Sequence, residues 1–387
     1  MKTIIVNAVL VFSTLVSAAQ PYPVGHTTLT FNDPSRTGGF GSGGGPGRQI
    51  QSEIYYPGTS AGEDVPVEIG NFPIIVFGHG FLMAWDAYEN LWETLVPNGY
   101  IVVFPRTEGG ISPNHGDFGK DLALCVSEMQ LEGANSGSMF FNHVMSASAI
   151  MGHSMGGGAT ILAAAFNPSI QTIVGLAPAE TNPSAIDSSA VVSVPALILS
   201  GSADGVTPPS DHHIPIYNGL NATCKYFVSV TGGAHCYFAN ANFNCDLGEA
   251  TASTGITVTR GEQQTIMNDY VIKWLDYQLK SDITAKTAFD ALLVSDTRIT
   301  YMENCATATL IEGKESIAKV FPNPTSNWIT VELKYPQQPP ILITNILGEI
   351  ITEITMQGTQ ATINTSSWPS GTYILKTQGK TEKILKI

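Results

Sequence analysis

Between residues 48 and 280, short apolar runs alternate with segments of helical period. Phe72–Phe77, Tyr100–Phe104, Ser148–Gly152, Ile173–Ala177, Val194–Ser200 and Cys224–Val230 are each five to seven residues long and largely apolar. Runs of that length and character fit strands buried on both faces. Asp86–Leu95, Asp121–Leu131 and Gly156–Ala165 read as helices between them. Gln264–Leu279 places Ile266, Tyr270, Val271, Trp274 and Leu275 near helical spacing, which predicts an amphipathic helix. Strands alternating with helices predict an α/β fold, with a mainly parallel central sheet covered on both faces. Arg48–Tyr56 begins a further strand. It follows a glycine-rich stretch, Thr37–Gly47, that reads as a surface loop. That stretch lacks the Lys-Ser/Thr ending and the following helix of a phosphate-binding loop.

The pattern changes beyond Lys280. Residues 281–316 are mixed and read as a tail and linker. From Lys319 onward the runs are short and alternate with period two, as in Trp328–Leu333, Ile341–Thr344, Glu349–Thr352, Tyr373–Lys376 and Lys383–Lys386. They predict a small all-β sandwich. Charge marks the same boundary. Residues 317–387 hold six lysines and four acidic side chains, and the rest of the chain holds 12 basic and 28 acidic. The expected organisation is a signal peptide at 1–19, an α/β domain at 20–280, the linker at 281–316 and the sandwich at 317–387.

Composition narrows the function classes. A hydrophobic fraction of 43% supports a buried core. A formal net charge of −14 argues against a nucleic-acid partner. Residues 1–19 carry one lysine, an apolar stretch broken by Asn7 and Ser13, and small residues at Ala18 and Ala19. This is the pattern of a cleaved secretory leader and predicts an extracellular or surface protein. Five cysteines remain after it: Cys125, Cys224, Cys236, Cys245 and Cys305. An odd count leaves at least one free thiol or intermolecular partner. A bridge between Cys236 and Cys245 would restrain the loop carrying His235, although spacing does not fix the pairing. Cys125 and Cys224 also read as small buried apolar residues. No zinc-like spacing is present, and the neighbours His212 and His213 make a poor metal clamp because their side chains diverge.

The candidate chemistry starts at Gly152-His153-Ser154-Met155-Gly156. This is G-x-S-x-G between a predicted strand and a predicted helix, the context of a nucleophile elbow in α/β-hydrolases. The other two members of a triad follow in the order such hydrolases use. Asp204 lies just past Val194–Ser200, and His235 follows Cys224–Val230 in a Gly-Gly-Ala-His turn. In that arrangement Ser154 is the nucleophile and His235 the base, and Asp204 orients the imidazole. Glu180 and Asp211 are rival acids, Glu180 the better one because it also follows an apolar run. His26, His79, His115, His143, His153, His212 and His213 compete with His235, but only His235 lies in a glycine-rich loop between the last apolar strand and the final helix. Gly78-His79-Gly80-Phe81 follows an early strand, where this fold places its second oxyanion donor. The expected oxyanion hole is the backbone N–H of Phe81 and of Met155. Phe81, Trp85 and Met155 are candidate pocket walls. No cofactor or metal is implied.

From about Gln51 to Lys280 the chain resembles α/β-hydrolases of the cutinase and polyester-hydrolase group, with dienelactone-hydrolase-like enzymes as relations. The resemblance is carried by Gly152-His-Ser-Met-Gly-Gly-Gly158, Val194–Leu199 leading to Asp204, and Gly232-Gly-Ala-His235. It implies a serine esterase that cleaves carboxylic esters through an acyl-enzyme, of cutinase-like or polyester-degrading type. A monomer is expected. Two departures stand out. His79 precedes the Gly-aromatic pair, and the aromatic-subsite tryptophan of that group is missing where this chain reads Ala177-Pro-Ala-Glu180. The last seventy residues resemble the sorting domain of the type IX secretion system of Bacteroidetes. Val320-Phe-Pro-Asn-Pro324, Ile343-Thr-Asn-Ile-Leu-Gly348, Pro369–Leu375 and the terminal Lys386-Ile387 carry that likeness. It implies type IX machinery as a partner. Alternative readings are a phospholipid-directed acetylhydrolase, a serine peptidase on the same fold and a non-catalytic surface binding protein.

Overall fold

The computed structural model describes residues 21–167, 169–305, 317–333, 341–345, 349–355, 358–377 and 380–387. The leader read at 1–19 lies outside them. The chain divides into two compact units, with the boundary between Cys305 and Ala306.

The first unit is built on one mixed sheet. Its strands are β1 (Val24–Asp33), β2 (Gly39–Phe40), β3 (Arg48–Pro57), β4 (Gly62–Glu63), β5 (Phe72–Gly78), β6 (Ile101–Pro105), β7 (Val144–His153), β8 (Thr172–Leu176), β9 (Ala196–Gly201), β10 (Cys224–Val230) and β11 (Ile299–Cys305). The order is β11-β10-β9-β8-β7-β5-β6-β3-β1-β4, with β2 beside β3. The stretch from β10 to β6 is parallel, and antiparallel strands flank it on both sides. The continuously apolar runs are the parallel strands, and every residue of β5, β6, β8 and β9 is buried.

Side chains along a strand alternate between faces, so one strand feeds two cores. In β5, Ile75 and Phe77 pack in one core with Tyr88 and Trp274, and Ile74 and Val76 pack in the other with Phe118 and Leu122. The helices supply the second layer on each face. They are α1 (Glu89–Leu95), α2 (His115–Ala134), α3 (Met155–Phe166), α4 (Ala185–Ser189), α5 (His213–Gly219), α6 (Phe243–Ala252), α7 (Arg260–Lys280) and α8 (Ile283–Ser295). α2 starts six residues before the apolar pattern predicts, because Asn114 caps it by accepting the Asp117 N–H at 3.0 Å. α7 starts four residues early for the same kind of reason. Thr259 and Glu262 form a reciprocal capping box there.

Residues 281–305 form α8 and β11, and β11 extends the main sheet antiparallel to β10. Cys305 lies opposite Cys224 in that register, and the two are disulfide-bonded. Cys224 is therefore half of a cross-strand bridge, which overturns its reading as a small apolar filler. Cys125 is free and buried. In the first unit the apolar pattern missed β1, β2, β4, α4, α5, α6, α8 and β11.

The second unit is all-β. One sheet joins β12 (Ile317–Phe321), β13 (Trp328–Leu333) and β16 (Gln360–Asn364). The other joins β14 (Ile341–Asn345), β15 (Ile350–Ile354), β17 (Gly371–Thr377) and β18 (Lys380–Lys386). All pairs are antiparallel. Ile329 and Val331 from one sheet share a core with Ile343, Leu375 and Ile384 from the other, giving a small sandwich.

Candidate active site

Ser154 occupies the turn between β7 and α3, with φ 56° and ψ −121°. A non-glycine residue in that region stores strain, and such outliers concentrate at functional sites. The surroundings hold it in place. The Ser154 N–H donates to Leu176 O at 2.9 Å, and Ser154 O accepts from Gly158 and Ala179 at 3.0 and 2.9 Å. Close approach explains the flanking glycines. A Cβ at Gly152 would collide with the Gly156 carbonyl, and one at Gly156 with the Gly78 carbonyl. Met155 is the first residue of α3, so its N–H has no partner inside the helix.

His235 and Asp204 follow β10 and β9, and both side chains are buried. His235 Nδ1 lies 2.7 Å from Asp204 Oδ2. Asp204 Oδ1 accepts the N–H groups of Val206 and Thr207 at 2.9 and 2.8 Å. Burial opposes ionisation of Asp204, but the His235 hydrogen bond, the electrostatic pull of His235 and the Thr207 amide outweigh it and hold the carboxyl below its ordinary value. An imidazole donating from Nδ1 keeps Nε2 as its proton acceptor. Of the rival acids, Glu180 accepts the Ile186 N–H at 2.9 Å, and Asp211 takes the Ser210 hydroxyl at 2.8 Å.

His153 ties the elbow to the histidine loop. Its ring stands 4.8 Å from the His235 ring, and its Nε2 lies 3.0 Å from His235 O. A carbonyl can only accept, so Nε2 carries the proton and Nδ1 accepts from the Tyr88 hydroxyl at 2.9 Å. Tyr88 Oη in turn accepts the Gly80 N–H at 2.8 Å. One file thus joins the turn after β5, the end of β7 and the His235 backbone. Complete burial, with the nearby His235 charge, pushes His153 down to about 3 and keeps it neutral.

Further residues brace the loop from outside. Gln263 on α7 accepts the Ala234 N–H at 2.8 Å and donates to Ala234 O at 2.7 Å. Glu249 on α6 accepts the Cys236 N–H at 2.6 Å. Arg260 donates to Cys236 O and Ala239 O at 2.5 and 2.7 Å. Cys236 is bonded to Cys245, the pairing that the spacing had left open. The apolar pattern did not point to Gln263, Glu249 or Arg260. The one local signal was Gln263 itself, a polar residue three positions before Ile266 on the buried face of α7.

A cavity of about 390 Å³ opens on Ser154 and is also lined by Phe81, Met155, Ser112, Pro113, His115 and Ala179–Thr181. Phe81 is 47% exposed and can meet a ligand. Trp85 is elsewhere. It lines a neighbouring cavity of about 520 Å³ with Phe40, Leu82 and Arg106. Its Nε1 donates to Tyr55 at 3.2 Å, and the Arg106 guanidinium packs 4.2 Å from its ring centroid, which hold the indole there. Ser112 and Pro113 border both cavities. Among the described residues, no group of three or more His, Cys, Asp or Glu is arranged to hold a metal ion.

Residues 13–286 match the family model described as PET hydrolase-like. The chain belongs to that family. Residues 319–387 match the secretion system C-terminal sorting domain, so the protein is directed to the outside or the surface of the cell. A cutinase, est1, of Thermobifida alba is 27% identical over 203 residues, which are 52% of this chain and 60% of the relative. A bis(hydroxyethyl) terephthalate hydrolase of Streptomyces coelicolor is 26% identical over 224 residues, 58% of this chain and 63% of the relative. Cutinase 1 of Thermobifida cellulosilytica is 34% identical over 88 residues, 22% of this chain and 32% of the relative. The chain thus spans about three fifths of the length of the first two relatives.

Proposed function

We propose that this protein is a secreted serine esterase that cleaves carboxylic esters, including aromatic diesters of the terephthalate type. Ser154 Oγ attacks the ester carbonyl and passes its proton to His235 Nε2. Asp204 keeps the Nδ1–H tautomer and stabilises the imidazolium. The oxyanion is received by the N–H groups of Phe81 and Met155. His235 then protonates the leaving alcohol, and water releases the acyl group by the same route.

The observation that carries this reading is the strained Ser154 on a cavity wall, next in sequence to a His153 that binds the backbone of a buried, Asp204-paired His235. The terephthalate preference draws on the name of the Streptomyces relative and on Phe81 as an exposed aromatic wall. Among the described residues, Phe81 is the one Phe, Tyr or Trp side chain in the lining of this cavity. The C-terminal unit delivers the chain to type IX secretion machinery.

The test is hydrolysis of p-nitrophenyl esters and bis(hydroxyethyl) terephthalate by the protein and by Ser154→Ala. Turnover of both substrates, abolished in a folded Ser154→Ala, supports the reading. Absence of ester turnover in the unmodified protein refutes it.

A further inference from the structure

We infer that Thr207 and His213 are positioning residues that orient the Asp204 carboxylate, an inference that rests on the triad proposed above. Neither is reached by the motif that locates Asp204. They form a buried file with Ser200. Ser200 Oγ lies 2.8 Å from His213 Nδ1, His213 Nε2 lies 3.0 Å from Thr207 Oγ1, and Thr207 Oγ1 lies 3.1 Å from Asp204 Oδ2. Thr207 Oγ1 also stands 2.8 Å from His235 Nδ1. Ser200 and His213 are fully buried, and Thr207 is nearly so.

Proton counting gives the file a direction. Burial drives His213 down to about 3, so its ring is neutral and carries one N–H. With that proton on Nδ1, Nε2 would have to accept the Thr207 hydroxyl proton, taking it from the carboxylate. With the proton on Nε2, His213 donates to Thr207, Thr207 donates to Asp204, and Ser200 donates to Nδ1. The second arrangement spends the Thr207 proton on an ionised acceptor, which makes the stronger hydrogen bond. All donors then run toward the carboxylate.

An ionised carboxylate offers about four acceptor sites. Here Oδ1 receives two backbone amides, and Oδ2 receives His235 Nδ1–H and the Thr207 hydroxyl. Full occupancy fixes the carboxylate plane, and with it the ring plane of His235. The ionisable groups around this carboxylate are His235 from the loop after β10 and His213 from α5, with the His153 ring of β7 tilted against His235 at 4.8 Å. Without the hydroxyl, Oδ2 loses a donor and the carboxylate is freer to rotate.

The experiment compares Thr207→Val and His213→Leu with the conservative Thr207→Ser and His213→Gln in the full chain. It reads kcat and KM for a p-nitrophenyl ester from pH 5 to 9, beside the urea midpoint. Thr207→Val and His213→Leu are expected to lower kcat about tenfold, the size of one charge-assisted hydrogen bond, with KM within about twofold. The acidic limb of Thr207→Val is expected to move up by roughly 0.5 pH unit, because a carboxylate with one donor fewer holds the imidazolium more strongly. Thr207→Ser and His213→Gln should recover most of kcat. If Thr207→Val does not fold, the smaller Thr207→Ala carries the same expectations. A folded Thr207→Val or Thr207→Ala with unchanged kcat and pH profile overturns the inference and leaves the esterase reading intact. Equal losses in the disruptive and conservative variants also overturn it. No Ser154-dependent turnover in the unmodified protein overturns both.

Discussion

Replacing Gln263 with leucine tests whether α7 sets the position of the histidine loop. Gln263 is fully buried, and its amide makes both a donor and an acceptor bond to the backbone of Ala234, the residue before His235. Leucine has similar bulk and makes neither bond. The buried Ala234 N–H and C=O would then lack partners, and each such loss costs about 1–3 kcal/mol. If the loop stays rigid, the two together cost about 2–6 kcal/mol. If it shifts to recover partners, the stability cost shrinks, but His235 moves with it. A displacement near 1 Å costs on the order of a hundredfold in rate. The expected result for Gln263→Leu is a loss of about 2–4 kcal/mol in urea denaturation, at least a tenfold drop in kcat, or both. Gln263→Glu keeps the acceptor and loses the donor, so its stability should fall between the other two. The reasoning fails if Gln263→Leu keeps both its unfolding free energy and its kcat.

Three further outcomes follow from the same geometry. His153 and His213 are held neutral at about 3, against about 6.5 unfolded, so the unfolded chain takes up protons that the folded chain refuses. Their contribution is intact above pH 6.5 and declines on acidification toward 3, by about 2–3 kcal/mol for the pair between pH 6 and 5; equal urea stability at pH 7 and pH 5 would contradict this. Ser154→Gly should abolish ester turnover yet raise stability by about 1 kcal/mol, since releasing φ strain of about 1–3 kcal/mol outweighs a backbone entropy cost of about 0.5–1; a lower melting temperature would count against strain at the elbow. Replacing Cys236 and Cys245 with serine opens a bridge spanning 9 residues, worth about 2.5–3 kcal/mol, and should reduce kcat as well, whereas opening Cys224–Cys305, which spans 81, should cost about 4.5 kcal/mol with kcat little changed. Denaturation and turnover measured on both double variants check the contrast.

The sequence by itself determined the order of the parallel strands along the chain, the elbow at Ser154 and the alternating character of the C-terminal sandwich. These are local properties. A strand buried on both faces must be apolar along its length, as β5 and β9 are, and a turn this crowded must carry glycine at 152 and 156. Chain order admitted both Asp204 and Glu180, and it is the 2.7 Å contact to His235 that separates them. Helices such as α6 escaped notice because disulfide, cap and hydrogen bonds hold them rather than an apolar stripe, and Glu249 is the buried residue of α6. Tertiary structure alone decided that Cys224 meets Cys305, that Trp85 packs against Arg106, and that Gln263, Thr207 and His213 converge on the histidine loop and its acid. The physical reason is range. Hydrophobic periodicity is written in neighbouring residues, but a hydrogen bond or disulfide depends on distance and direction in space, and its partner can sit 29 or 81 positions away without a local mark.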